Sequence, residues 1–295
     1  MKIGVALPTS NQPTGDPPPY AVTRSFALRA EALGFDSIWI FDHLLYRYPD
    51  KTDTGVHEAW TLLSALAEAT TRVELGTLVL AMRFRNPGLL AKMTAALDDV
   101  SGGRLILGIG AGWHDPEFAA FDYPLDHRLG RFDEALEILV QLLRTGRATY
   151  EGQWHNARDA VLIPPMRPDV PLLIAGRSPR MMRAIARHAD QWNGGWYATP
   201  EDPILLQRMA ELDAACEAIS RDPASVRRTV GVSVRYPEAG AAEGPREWLA
   251  GSPQQIADGL RAFGDAGYDH AIVWLEPMTE SYVERLAEAL DQMRA

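Results

Sequence analysis

Five short segments of this chain carry residue types that can do chemistry, and each closes an apolar run. They are Phe41-Asp42-His43, Arg83-Phe84-Arg85-Asn86-Pro87, the stretch from Gly108 to His114, Gly176-Arg177-Ser178-Pro179, and Trp192-Asn193-Gly194-Gly195-Trp196. Histidine titrates near neutral pH, so His43 is a candidate proton donor or acceptor, and a structural role for one of seven histidines is the plain alternative. Asp42 and His43 are neighbours, and neighbours in extended chain point to opposite faces, so one of the two faces the reaction centre. Gly108, Gly110 and Gly112 alternate, which leaves one face of a strand end bare for a flat ring or a phosphate. Close packing is the competing reason for such glycines, and their spacing is not the dinucleotide fingerprint. Gly176-Arg177-Ser178 before Pro179 opens a helix whose free N–H groups favour a phosphate, with simple capping by Ser178 as the alternative. Trp113, Trp192, Trp196 and Trp274 fall on one side of the strand ends and suit an aromatic cleft, some of them through core packing alone.

These segments need a scaffold that gathers strand ends. Short strand-like runs alternate with helical-period runs along the whole chain, the pattern of βαβ units and a parallel sheet. The strands are expected at 3–8, 37–41, 73–80, 104–109, 171–175, 191–194, 229–235 and 270–275. The helices are expected at 21–33, 58–69, 87–100, 129–143, 179–188, 204–219, 253–266 and 281–293. Eight such units without a composition break predict one closed (β/α)8 TIM barrel over residues 1–295, and the five segments then meet at its carboxyl-terminal mouth. An open doubly wound sheet is the alternative. Two stretches, Gly146 to Arg167 and Pro237 to Gly251, exceed a minimal barrel and are expected as loop insertions, the first holding a short hairpin over one mouth.

Composition removes several classes of function. The 295 residues are 46% apolar and 23% charged, an ordinary globular balance, and the net charge is −10, which repels a phosphate backbone. Nucleic acid is therefore not an expected partner. The one cysteine, Cys216, permits neither a disulfide framework nor a thiolate metal site and reads as a buried thiol in a reducing cytoplasm. No run of about 18 apolar residues and no export signal is visible, so a membrane location is not expected. His-Glu-x-x-His, Gly-x-Ser-x-Gly and clustered metal-spaced carboxylates are all missing from the sequence, which leaves a flat, phosphorylated cofactor as the best-supported ligand.

Taken as a set, Asp42-His43, Gly-Ile-Gly-Ala-Gly-Trp at 108–113, Ala189-Asp190-Gln191-Trp192-Asn193, Gly251-Ser252-Pro253 and Asp269-His270 resemble the bacterial luciferase-like flavin-dependent superfamily. The resemblance covers nearly the whole chain and is strongest to the actinobacterial branch that uses coenzyme F420, a 5-deazaflavin. It implies a TIM barrel with the cofactor ring at the carboxyl-terminal end and its phosphate near strands four and five. It places His43 beside the reactive ring carbon, with Asp42 and Trp113 among the cofactor contacts. It implies a non-proline cis peptide at Thr77-Leu78 behind the ring, and phosphate contacts from Gly110, Ala111 and Gly112 and from Gly176, Arg177 and Ser178. Trp113, His114 and Trp196 then face the substrate. Trp113 stands where the sugar-phosphate dehydrogenases of this branch carry an acid, which points away from glucose 6-phosphate.

The activity so implied is hydride transfer between coenzyme F420 and a small organic substrate, with His43 as acid or base. The alternative is an FMN-dependent two-component monooxygenase that takes reduced FMN from a separate reductase and uses oxygen. A cofactor-storage protein without turnover is a third reading. Arg83, Arg85, Arg128 and Arg131 are candidates for the cofactor's acidic tail or an anionic substrate, although helix-surface ion pairs explain Arg128 and Arg131 equally well. The resemblance also implies a homodimer and a cytoplasmic enzyme.

Overall fold

The computed structural model describes residues 1–10, 15–239 and 247–294. Strand β1 (Lys2–Ala6) leads to helix α1 (Tyr20–Ala32), then β2 (Ser37–Ile40), a small hairpin of β3 (Leu45–Tyr46) and β4 (Thr54–Gly55), and α2 (Ala59–Ala69). The third unit is β5 (Glu74–Thr77), β6 (Leu80–Ala81) and α3 (Pro87–Val100); the fourth is β7 (Leu105–Gly110), α4 (Asp115–Ala120) and α5 (Arg128–Thr145). A second hairpin, β8 (Arg147–Glu151) and β9 (Asn156–Val161), precedes β10 (Leu172–Ala175), α6 (Pro179–His188), β11 (Gln191–Trp196) and α7 (Pro203–Glu217). The chain ends with β12 (Arg227–Arg235), β13 (Leu249–Ala250), α8 (Pro253–Asp265), β14 (His270–Glu276) and α9 (Glu280–Arg294).

Among the described residues, β1, β2, β5, β7, β10, β11, β12 and β14 pair in parallel, and the β7–β10 pairing closes the ring. Helix starts follow a repeated local rule. Asn86, Ser178, Asp202 and Ser252 each cap a helix through the side chain, and each is followed by a proline whose missing N–H costs nothing there. The helices bury an outer core against the barrel wall, including Phe26, Leu63, Leu90, Phe132, Leu139, Ile185, Leu260 and Leu290.

Inside the barrel the side chains form layers. His270, Ser37 and Trp39 fill the amino-terminal end, and the Trp39 ring occupies the space a Cβ at Gly76 would need, 2.2 Å away. Ala6, Ile106, Leu173 and Ile272 lie in the same interior cluster, and Phe41, Leu78, Val79, Trp196 and Trp274 line its upper end. This is a packed core with an aromatic top.

Three expectations change. The third strand, expected unbroken over 73–80, splits into β5 and β6 because the chain bulges between them. The non-proline cis bond is Leu78–Val79, one residue later than Thr77-Leu78. The hairpin of β8 and β9 does not cover a mouth. It lies against α5, where the Glu134 carboxylate accepts the N–H groups of Gln153, Trp154 and His155. Insertions at the carboxyl-terminal mouth come instead from the β3–β4 hairpin and from the segment carrying α4. Of the stretch Pro237 to Gly251, residues 240–246 lie outside the described residues.

Candidate active site

His43 follows β2 at the carboxyl-terminal mouth and is 8% exposed. Its Nδ1 lies 2.9 Å from Oε1 of Glu117 on α4, and the other oxygen of Glu117 accepts the Leu44 N–H at 2.8 Å. Glu117 is 1% exposed. A buried carboxylate can only accept, so Nδ1 donates and the lone pair of the neutral ring sits on Nε2, which has no protein partner among the described residues. That is the tautomer a proton acceptor at the mouth requires.

Aromatic rings surround this pair. Tyr46 of β3 stands 4.3 Å from the His43 ring, Trp113 lies edge-on at 5.6 Å, and His114 at 6.2 Å. Trp113 is 59% exposed, so its indole forms the rim. His114 is buried, and its Nε2 accepts the Arg47 N–H at 3.0 Å. Burial pushes its pKa down, against the pull of the Glu117 charge, and the hydrogen bond keeps Nε2 unprotonated. His114 therefore anchors the β3–β4 hairpin through this nitrogen. Trp196 is half-buried and joins Phe41 and Trp274 in a three-ring wall, with centroids 5.0 to 6.0 Å apart.

Asp42 faces away from this centre. Arg85 donates to both of its oxygens, at 2.7 and 2.9 Å, and the Ala81 N–H donates at 2.9 Å. Arg85 also reaches Glu58, which caps α2. Burial works to lower the Arg85 pKa, but the two carboxylates outweigh it and hold the guanidinium charged. The side chain of Asp42 is thus fully engaged in fixing the backbone that aims His43. Arg85, a candidate for an anionic ligand, is this structural partner.

The alternating glycines serve packing more than they leave a bare face. A Cβ at Gly108 would lie 1.8 Å from the Thr77 carbonyl oxygen, one at Gly110 would lie 2.8 Å from Val79 Cγ2, and one at Gly112 would meet the Phe118 ring at 2.5 Å. Thr77 is itself consumed: its Oγ1 donates to the Gly108 carbonyl at 2.7 Å and accepts the Gly108 N–H at 3.0 Å. Gly112, with φ +75°, turns the chain so that Ala111 and Trp113 can flank the mouth. Leu78 and Val79 top the interior cluster beside Trp196 and Trp274.

Above β10, Ser178 caps α6 by accepting the Met181 N–H, and Gly176 packs on Met181. Arg177 is exposed and has no ion-pair partner among the described residues. Trp192, expected at the mouth, is instead fully buried in the outer core, its Nε1 donating to the Gly176 carbonyl. Sequence reasoning missed Glu117, Tyr46 and Tyr48, whose ring stands 5.1 Å from that of His114. Glu117 carried a signal, since a carboxylate in the first turn of a short helix follows the glycine segment; the two tyrosines sit in a hairpin of two-residue strands that leaves no periodicity.

A parallel eight-strand barrel with its polar residues gathered at the strand ends defines a TIM-barrel enzyme class. Comparison narrows it. The family model for luciferase-like monooxygenases matches residues 1–242, and the chain belongs to that family. It is 30% identical over 72% of its length to the F420-dependent glucose-6-phosphate dehydrogenase of Amycolatopsis mediterranei, and 32% identical over 76% to that of Kineococcus radiotolerans. The matched chain spans 64% and 67% of those relatives. An F420-dependent secondary alcohol dehydrogenase in complex with an F420-acetone adduct superposes with a TM-score of 0.81, at 18% identity, over 100% of this chain and 99% of that one, which shows the shared fold. Among the described residues no helix is long and apolar enough to cross a membrane, and no group of three His, Cys, Asp or Glu side chains is placed to hold a metal ion.

Proposed function

We propose that residues 1–295 form one domain, a cytoplasmic oxidoreductase that transfers hydride between coenzyme F420 and a small organic substrate, with a second copy of the chain as its partner. The observation that carries the reading is His43, held by buried Glu117 with Nε2 free, at the barrel mouth of a chain whose curated relatives are named as F420-dependent. The residues fit a deazaflavin. Leu78 and Val79 with Trp196 and Trp274 offer an apolar, aromatic seat for a ring, while Arg177 and the start of α6 offer positive charge for a phosphate. Gly110, Ala111 and Gly112 supply the main chain beside that phosphate, and Trp113 and Trp196 wall the substrate.

When bound, the deazaflavin supplies the hydride donor or acceptor. The chain orients the substrate, excludes water with Trp113 and Tyr46, and moves a proton at His43 Nε2 as the substrate carbonyl or alcohol oxygen gains or loses it. Glu117 holds the ring in the required tautomer and stabilises the imidazolium that forms. Leu89 and Val100, both exposed on α3, are the positions at which that second copy would be sought. A separate reductase that regenerates the reduced cofactor is its expected supplier.

The test is parallel titration of coenzyme F420 and FMN, oxidised and reduced, read by the fluorescence of the eight tryptophans. Micromolar binding of the deazaflavin and turnover without oxygen support the proposal. Preference for reduced FMN with oxygen consumption replaces it by the monooxygenase reading.

A further inference from the structure

One charged group at the mouth has no role in the site so far described. Arg83 lies on the turn Met82–Phe84 between β6 and α3, and its guanidinium stacks at 4.1 Å on the Phe118 ring. None of its three nitrogens, Nε, Nη1 or Nη2, touches solvent or has a hydrogen-bond partner. A buried guanidinium without an acceptor is among the most unfavourable arrangements in a protein interior.

The nearest carboxylates do not satisfy it. The charges that act on Arg83 are Arg128, Asp115, Arg131 and Asp126, and each of these carboxylates is already paired, Asp115 with Arg128 and Asp126 with Arg131. Three cations thus share two anions, and the cluster is one negative charge short. Phe118, whose face carries Arg83, also supports Gly112 with its ring edge. The uncompensated cation therefore lies one aromatic ring from the glycine main chain of the mouth.

We propose that Arg83, with Arg128 and Arg131, forms a binding site for an oxyanion, a phosphate or carboxylate carried by a ligand at the mouth. The planar fork of a guanidinium matches two oxygens of either group, and Phe118 holds that fork flat. The Arg128–Asp115 and Arg131–Asp126 pairs are at the surface, where such pairs part readily, so the anion enters by displacing an aspartate. The shared chemistry has two sources, the acidic tail of the deazaflavin or an anionic substrate. The first of these rests on the cofactor reading above; the anion site itself does not.

The test uses the full chain and three probes: inorganic phosphate, coenzyme F420, and the deazaflavin core that lacks phosphate and tail. Arg83→Met is expected to weaken phosphate binding by about tenfold or more, with Arg83→Lys, which keeps the charge and loses the fork, in between. If the tail occupies the site, Arg83→Met weakens coenzyme F420 similarly, leaves the core unchanged, and F420 displaces phosphate. If a substrate anion occupies it, phosphate binds the F420-saturated chain and only that binding is lost. Thermal melting without ligand separates a structural role: a partnerless cation predicts that Arg83→Met melts no lower than the unsubstituted chain. Superimposable phosphate and F420 titrations for the two chains overturn the proposal. Failure of both deazaflavins to bind the unsubstituted chain overturns the cofactor reading alone, and the phosphate titrations still decide Arg83.

Discussion

Two buried histidines sit at opposite ends of one barrel and differ in their partners. His43 at the carboxyl-terminal end has a carboxylate partner and one nitrogen open; His270, the first residue of β14, has the Ser37 hydroxyl 2.8 Å from Nε2 and the Trp39 ring edge-on at 5.6 Å. The Ser37 oxygen also accepts the Trp39 indole N–H at 2.7 Å. Burial pushes the His270 pKa down to about 3, with the charges of Lys2, the chain start and Arg227 adding to it. Burial alone therefore makes an inert histidine. A buried carboxylate beside the ring and an open nitrogen are what the acid–base role proposed for His43 requires.

The largest effect should come from breaking the reactive end. His43→Ala is expected to slow turnover by about 10²- to 10⁴-fold while coenzyme F420 still binds, a split that kcat and a fluorescence titration resolve together. An unchanged kcat removes His43 from the chemistry. Arg85→Met leaves the Asp42 carboxylate buried and unpaired, so it should cost about 3 to 5 kcal/mol in denaturant unfolding, measurable as a lower midpoint with the slope preserved. Glu117→Gln removes the charge that holds the His43 tautomer and should lower kcat by about 10- to 100-fold, with little change in cofactor affinity.

The amino-terminal end gives the smallest and most specific prediction. The folded pKa of His270 lies below its ordinary value of 6.5, so on acidification the unfolded chain takes up its proton first. The stability it permits is complete above pH 6.5 and is lost as pH falls toward about 3, at about 1.4 kcal/mol per unit. Between pH 6.5 and 5 that amounts to about 2 kcal/mol. His270→Asn should flatten this part of the acid limb in unfolding experiments. An acid limb identical to that of the unsubstituted chain would show that carboxylates elsewhere set it.

The barrel was legible in the sequence because its signals are local: alternation of strand and helix periods, and caps such as Ser252 with Gln255 closing a capping box. Helix α6 lies at the predicted 179–188 and α3 at 87–100. The candidate site was legible only in part. His43 and Trp113 could be placed from strand ends, but Glu117 reaches His43 across 74 residues, a pairing no local pattern contains. Asp42 and the cis-peptide position at Thr77-Leu78 are what the family resemblance implies beside the ring, and a resemblance transfers position on the barrel. Position does not fix direction, and the side chains of Asp42 and Thr77 turn into the wall. Glycine has the same ambiguity: its missing side chain admits a ligand or a neighbouring strand, and at Gly108 the strand took the space.

The two carboxylates behind His43 also set how solvent reaches it. Asp42 ties the end of β2 to Ala81 and Arg85, Arg85 ties it to Glu58 at the start of α2, and Glu117 ties the Leu44 amide to α4. Four stretches far apart in the chain thus share one charge-linked knot, and releasing Asp42 or Glu117 from it strands a buried charge, whereas Glu58 is exposed and can let go. The amide protons of Leu44 and Ala81 should then exchange with deuterium in a single correlated opening, a mouth that breathes as one unit instead of fraying loop by loop.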